Sequence, residues 1–299
     1  MIFQRYIEHN IFFRVGGKSF IATGSDDTLI KIFHISDEGE IMKKASIKGH
    51  LSNIKCLESM SISDNEALLI SGGGRAQIKV WLVQLLETDQ GDEVVITAEY
   101  GEHTLHGCDK AIKQPWRQVQ SKVRPDPETR LMSLAVHKSS VTKHTDKFRI
   151  YVGCSDSVLR VYGAADKKVE LTHEIEFQEF CILCTKSFTC EDKEYLTVTT
   201  TAGYVHILSC SNQNKTNSPP VEEVYKIKLH QSGINSIDLC SVDNNTQNEM
   251  LMVTGGDDCS LVVTSIKVVD GDVVVEKLWR EDKAHAAQLT TVLFSGFLL

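Results

Sequence analysis

The stretch FIATGSDDTLIKIF, residues 20–33, decides how the rest of the chain is read. An apolar run closes on small residues, turns through Gly24, Ser25, Asp26 and Asp27, and leaves on an alternation in which Ile30 and Ile32 flank Lys31. Alternation at period two puts the apolar side chains on one side of a pleated strand. Glycine tolerates positive φ and aspartate hydrogen-bonds the backbone of its own turn, so the segment reads as a β-hairpin. The same pattern recurs as LISGGGRAQIKVW (69–81), IYVGCSDSVLRVY (150–162), LTVTTTAGYVHIL (196–208) and VTGGDDCSLVVT (253–264). No helical period competes with these short runs, and the chain is read as all-β.

The copies end at Phe33, Trp81, Tyr162, Leu208 and Thr264, in steps of 48, 81, 46 and 56 residues. A second signal precedes apolar runs at Gly49-His50, Leu229-His230 and Ala284-His285. The spacing, the Gly-His turn and Trp81 resemble WD repeats, whose period is roughly 40–45 residues. That resemblance implies a β-propeller of four-stranded blades. In such repeats a turn His, a strand Ser or Thr, a turn Asp and a strand Trp share hydrogen bonds within one blade. Here His50, Ser71 and Trp81 fill three of these places, with Arg75 in that of the Asp; His230, Thr254 and Asp258 fill three in the last copy, with Thr264 in that of the Trp. Asp27 and Asp156 hold the turn position in two further copies.

The organisation expected is one WD-repeat propeller region over residues 1–299, with a long loop over 86–129, where no strand–turn–strand copy is found. The first copy has no Gly-His turn before it, and the last such turn is followed by one apolar run, 289–294. Either that run completes the first blade against the N-terminal strands, or the chain is an incomplete propeller, a fragment of a longer multi-propeller protein. Five hairpins favour the fragment. An open propeller leaves unpaired strand edges.

The composition, 41% hydrophobic and 24% charged over 299 residues, is that of a globular chain able to bury a large core. A net charge of -8 argues against coating nucleic acid through the overall field, so any such contact must be local. Nine scattered cysteines, several in apolar runs, read as reduced thiols of a cytoplasmic protein. The start lacks the apolar segment of a signal peptide, and no run approaches a membrane span. The Asn214 and Asn244 triplets are chance glycosylation matches in polar loops.

A search for chemistry finds little. Gly16-Gly17-Lys18-Ser19 resembles the end of a phosphate loop, but Phe12 stands where its first glycine belongs. Cys181 and Cys184 have CxxC spacing inside a strand-like run, which sends them to opposite faces. His103, His106 and Cys108 are a loose ligand cluster in the expected loop. Asp26-Asp27 and Asp257-Asp258 recur at one repeat position and are read as turn residues, not paired catalytic acids. Neither a serine-hydrolase elbow nor a HExxH pair is present, and the chain is read as a non-enzyme with no cofactor, no metal and no small-molecule substrate. The segment KAIKQPWRQVQSKVR, 110–124, carries five basic residues, no acidic one and a tryptophan. Its Lys110, Lys113, Trp116, Arg117, Lys122 and Arg124 are the candidate contacts to RNA or a partner, with cations for phosphates and an indole for stacking.

Three phrases narrow the resemblance: GGGRAQIKVW (72–81), RPDPETRLMSLAV (124–136) and KAHAAQLT (283–290). Together they resemble the later part of the WD repeat-containing protein 6 family. The resemblance implies a scaffold subunit that positions tRNA for 2′-O-ribose methylation at the first anticodon nucleotide by a partner methyltransferase, which supplies the chemistry. The alternative is a general protein–protein interaction propeller with no RNA role, since an acidic surface suits basic protein partners.

Overall fold

The computed structural model describes residues 7–87, 93–105, 129–138, 148–177, 180–191, 193–210, 221–242, 249–269 and 271–294. Among them five four-stranded antiparallel sheets follow one another along the chain, each an up-and-down meander. The first holds β1 (Ile7–Val15), β2 (Lys18–Ser25), β3 (Ile30–Ile35) and β4 (Ile41–Ile47); the second β5 (Ile54–Ser63), β6 (Glu66–Gly73), β7 (Gln77–Glu87) and β8 (Glu93–Thr104). The third holds β9 (Leu131–Lys138), β10 (Phe148–Cys154), β11 (Val158–Ala165) and β12 (Lys168–Glu176). The fourth holds β13 (Ile182–Cys190), β14 (Lys193–Thr200), β15 (Tyr204–Cys210) and β16 (Val221–Lys228); the fifth β17 (Ile234–Ser241), β18 (Glu249–Gly256), β19 (Leu261–Val269) and β20 (Asp272–Glu281).

The chain falls into two compact units, Met1–Val152 with Val161–Thr172, and Gly153–Arg160 with His173–Leu299. In the first, β5 lies against β1 and β2, and Phe20, Ile30 and Ile32 pack with Ile54, Leu57 and Trp81. In the second, β17 lies against β13 and β14, and Tyr195, Val205 and Ile207 pack with Ile234, Met252 and Val262. Sandwiching explains why β6 and β14 are buried on both faces, so that their runs ALLISGG and EYLTVTT do not alternate. Alternation survives where one face is less covered, as in β3, whose Ile30 and Ile32 are buried and Lys31 is not.

Register repeats as well. The first and second strands slip by one residue at Ile7/His9, Ile54/Cys56, Ile182/Cys184 and Ile234/Ser236. Third and fourth strands slip at Ile32/Phe33, Val80/Trp81, Ile207/Leu208 and Val263/Thr264. Bulges at fixed places sharpen the twist of these four sheets in the same way.

The turn between second and third strands is built alike in all five sheets, with its third residue left-handed: Thr28 (φ 67°), Ala76 (48°), Ser157 (67°), Gly203 (79°) and Cys259 (62°). Glycine serves this purpose in the fourth sheet alone. The glycines of the repeat that looked like turn residues have another role. A Cβ on Gly24 would lie 2.5 Å from Ile54 Cγ2, and one on Gly255 would lie 2.8 Å from Leu289 Cβ. These positions are bare so that the next segment can approach the strand.

One expectation is corrected. The segment 86–129 is not simply a long loop: it contains β8, paired with β7 from Gln77↔Thr104 to Glu87↔Glu93. An outer strand with alternate residues exposed lacks the small-residue turn and dense apolar run on which recognition of the copies depends; residues 106–128 lie outside the described ones. Residues 289–294 lie along the fifth sheet. The first sheet has four strands of its own, and the N–H groups of Leu289, Val292 and Phe294 donate to Gly256 O (3.1 Å), Ser236 Oγ (2.7 Å) and Asp238 Oδ2 (2.8 Å) of the fifth. Leu289 sits four residues after His285, as Ile54 follows His50 and Ile234 follows His230, and it is buried as they are.

Candidate functional site

In each sheet the second-to-third-strand turn shares an end with the start of the first strand and the finish of the fourth. The polar repeat residues collect there. In the second sheet Trp81 Nε1–H donates to Ser71 Oγ at 2.9 Å, and His50 Nε2 lies 2.6 Å from the same oxygen. Ser71 is fully buried, His50 and Trp81 nearly so. Gly49, at φ 149°, leaves room for the indole: a Cβ there would come within 2.9 Å of Trp81 Cη2. Burial, reinforced by the charge of Lys79, lowers the His50 pKa to about 4, so the ring is neutral at pH 7.

Arg75 stands where the repeat has its turn aspartate, and Gln77 takes over that task. Its side-chain carbonyl accepts Leu51 N–H at 3.1 Å, as Asp258 Oδ2 accepts Gln231 N–H at 2.9 Å in the fifth sheet. Gln77 Nε2 then donates to Glu102 at 3.3 Å. In the fifth sheet His230 Nδ1 is 2.9 Å from Asp258 Oδ1 and its Nε2 is 2.9 Å from Thr254 Oγ1. Ser260 Oγ joins the set at 2.7 Å from Asp258, and Arg280 reaches both Asp258 and Leu229 O. Burial holds the His230 pKa below its ordinary value. Burial alone would raise the Asp258 pKa, but hydrogen bonds from His230, Gln231 N–H and Ser260 hold it well below the usual carboxylate range. Thr264 lies on β19 in the tryptophan's place and donates to Met252 O at 3.4 Å.

In the other copies Asp27 accepts Leu29 N–H at 3.1 Å and lies 3.8 Å from Lys31. Asp156 receives both terminal nitrogens of Arg160, at 2.9 and 2.7 Å, while Arg160 Nε donates to Glu174 at 2.8 Å. Here lies a repeat that sequence reasoning used only as alternation. The second residue of the third-strand run is Lys31, Lys79, Arg160 or His206, and each finds acid: Lys79 at Glu99 and Glu102 (2.9 and 2.7 Å), His206 at Glu223 (2.5 Å). A basic residue between two apolar ones, directly after the turn, is the signal that marks it.

Lys110, Lys113, Trp116, Arg117, Lys122 and Arg124 lie outside the described residues, as do His106 and Cys108. His103 is on β8, its ring 5.1 Å from that of Tyr162. Cys184 is on β13, its thiol pushed up to about 11 by burial and directed to Asn235 O; Cys181 precedes the strand. Gly16 and Gly17, at φ 59° and 72°, form the β1–β2 hairpin turn. No group of three or more potential metal ligands occurs among the described residues.

Four-stranded antiparallel sheets in series, with the turns of the second and fifth bound by Gln77 and Asp258, have the form of WD-repeat β-propeller blades. Residues 42–81 and 221–265 match the family described as "WD domain, G-beta repeat". Over 195 residues, 57% of this chain, it is 24% identical to "tRNA (34-2'-O)-methyltransferase regulator WDR6" of Mus musculus, of which it covers 16%. Over 282 residues, 83% of this chain, it is 21% identical to the protein of the same name from Bos taurus, of which it covers 24%. The chain thus spans less than a quarter of the length of these relatives. Among solved structures, a chain of "Crystal Structure of Mitotic Checkpoint Complex" aligns over 97% of this chain and 69% of its own length, with TM-score 0.58 and 12% identity, a likeness of fold.

Proposed function

We propose that this chain is a non-catalytic scaffold of the cytoplasm that helps position tRNA for 2′-O-ribose methylation at the first anticodon nucleotide by a partner methyltransferase. The observation that carries this is the similarity, over most of the chain, to proteins named as regulators of that methylation. The geometry supports the non-catalytic half. His50, His230, Asp156 and Asp258, the groups most like catalytic ones, are committed to holding their own turns. A scaffold contributes by fixing substrate and enzyme in register, which removes part of the entropic barrier.

The test is depletion of the protein in its native cells with quantification of 2′-O-methylation at the first anticodon nucleotide. Methylation falls and is restored by the intact gene; unchanged methylation refutes the reading. A second reading, a protein-binding propeller with no RNA role, is favoured by the net charge of -8 and predicts complexes that survive ribonuclease.

A further inference from the structure

At the turn end of the fourth sheet, Lys226 and Lys228 alternate with Ile227 on β16 and so share one face. Their ammonium groups converge on a single ring: Nζ of Lys226 is 4.8 Å and Nζ of Lys228 is 5.5 Å from the centroid of Tyr204. Phe180 lies beside that ring, centroids 6.0 Å apart and planes inclined by 34°. Both lysines are exposed, and Tyr204 and Phe180 half-buried. The lysines at the repeated third-strand position are bound to acids, whereas Lys226 and Lys228 make no ion pair among the described residues. Glu223, on the same strand, is engaged by His206 Nδ1.

The ring is held on a braced turn. Thr201 N–H donates to Cys181 O at 3.0 Å on one side, and Leu229 and His230 N–H donate to Gly203 O at 3.0 and 3.2 Å on the other. Gly203 is left-handed at 79°, and a Cβ there would lie 2.2 Å from His230 O. Tyr204 occupies the repeat position that Gln77 and Ser260 use to secure their turns. In the fourth sheet that position is left for a large, half-exposed ring.

We infer that Tyr204, Phe180, Lys226 and Lys228 form a subsite for single-stranded RNA, in which a base stacks on the rings and the lysines move from the Tyr204 face to the flanking phosphates. The inference rests on the reading that the chain handles RNA, and gives it a described surface. Exposed cation–π contacts are weak and easily exchanged for phosphate, and base–aromatic stacking needs no particular sequence. A phosphorylated peptide would use the two cations but not the paired rings.

The test is fluorescence anisotropy of the purified full chain with a labelled single-stranded oligoadenylate of about ten nucleotides, within the footprint of such sites, across a salt series. Lys226→Ser with Lys228→Ser is expected to lower the slope of log affinity against log salt by about 1.4, two phosphate contacts' worth on single strands. Tyr204→Leu, which keeps apolar bulk on the strand, is expected to weaken binding roughly 5- to 150-fold with the salt slope unchanged. Thermal melts by circular dichroism verify that each variant is folded. Absence of binding by the wild-type chain, unchanged curves in both variants, or lysine-dependent binding of a phosphopeptide in preference to RNA each overturns the subsite. Patch-dependent RNA binding with normal methylation in depleted cells keeps the subsite and overturns the methylation reading. Methylation lost on depletion with unchanged anisotropy does the reverse.

Discussion

Acidification from pH 7 to pH 5 is expected to cost the fold about 2 kcal/mol through His50 alone. The folded-state pKa of about 4 lies below the ordinary 6.5, so the unfolded chain takes up the proton first. The contribution is present in full above pH 6.5 and is lost as pH falls from there towards 4. At pH 5 the unfolded imidazole is almost wholly protonated and the folded one about a tenth, which gives the stated magnitude. The cause is local: burial of the ring and, after it, the Lys79 ammonium nearby. Urea unfolding followed by far-ultraviolet circular dichroism at both pH values, on the wild type and on His50→Gln, isolates the effect. His137, His206 and His230, whose pKa values are also lowered, remain in both proteins and cancel. The variant should lose about 2 kcal/mol less than the wild type on acidification. Equal losses would show that His50 is not buried in its neutral form.

Ser71→Ala strands the Trp81 Nε1–H and should cost about 1–3 kcal/mol. Made with Trp81→Phe, which removes the stranded donor, it should cost less than the sum by at least about 0.5 kcal/mol; additivity in a double-mutant cycle refutes the shared oxygen. Asp258→Asn should flatten the loss of stability below about pH 4, since a carboxylate held below its ordinary pKa stabilises above that pH and ceases to as pH falls through the folded value; acid titration of the urea midpoint reads this directly. Gly203→Ala meets both a left-handed φ and His230 O, and should cost about 3 kcal/mol or more. Gly39→Ala, left-handed at 84° with nothing within 4 Å, should cost about 1–2 kcal/mol in the same thermal-melt comparison.

The central hairpins were legible because small residues, turn and alternating strand combine in a form that neither helix nor loop imitates. The outer strands were not. β8, β16 and β20 carry exposed alternate positions, and EVVITAEYGEHT on its own resembles a polar linker as much as a strand. Turn chemistry was half legible: Asp27 and Asp258 bind their turns, yet the left-handed residue is Thr28 or Cys259, types that announce nothing. Gln77 escaped because it does the aspartate's work from two residues further on, at the start of β7, just after a three-residue 3-10 turn, Gly74–Ala76. Tyr204 escaped because it makes sense only beside Lys226 and Lys228, more than twenty residues away.

Each of the polar sets around His50 and around His230 closes within a single sheet. Damage to one therefore leaves the hydrogen bonds of the other in place. A repeat can surrender its aspartate, as the second and fourth have, or its tryptophan, as all but the second have, without unmaking the polar set of another. Divergence of this modular kind spreads losses across copies until no copy retains the whole signature, although all five turns still bend through the same left-handed residue. In such a chain kinship outlives its spelling, and the backbone keeps the record.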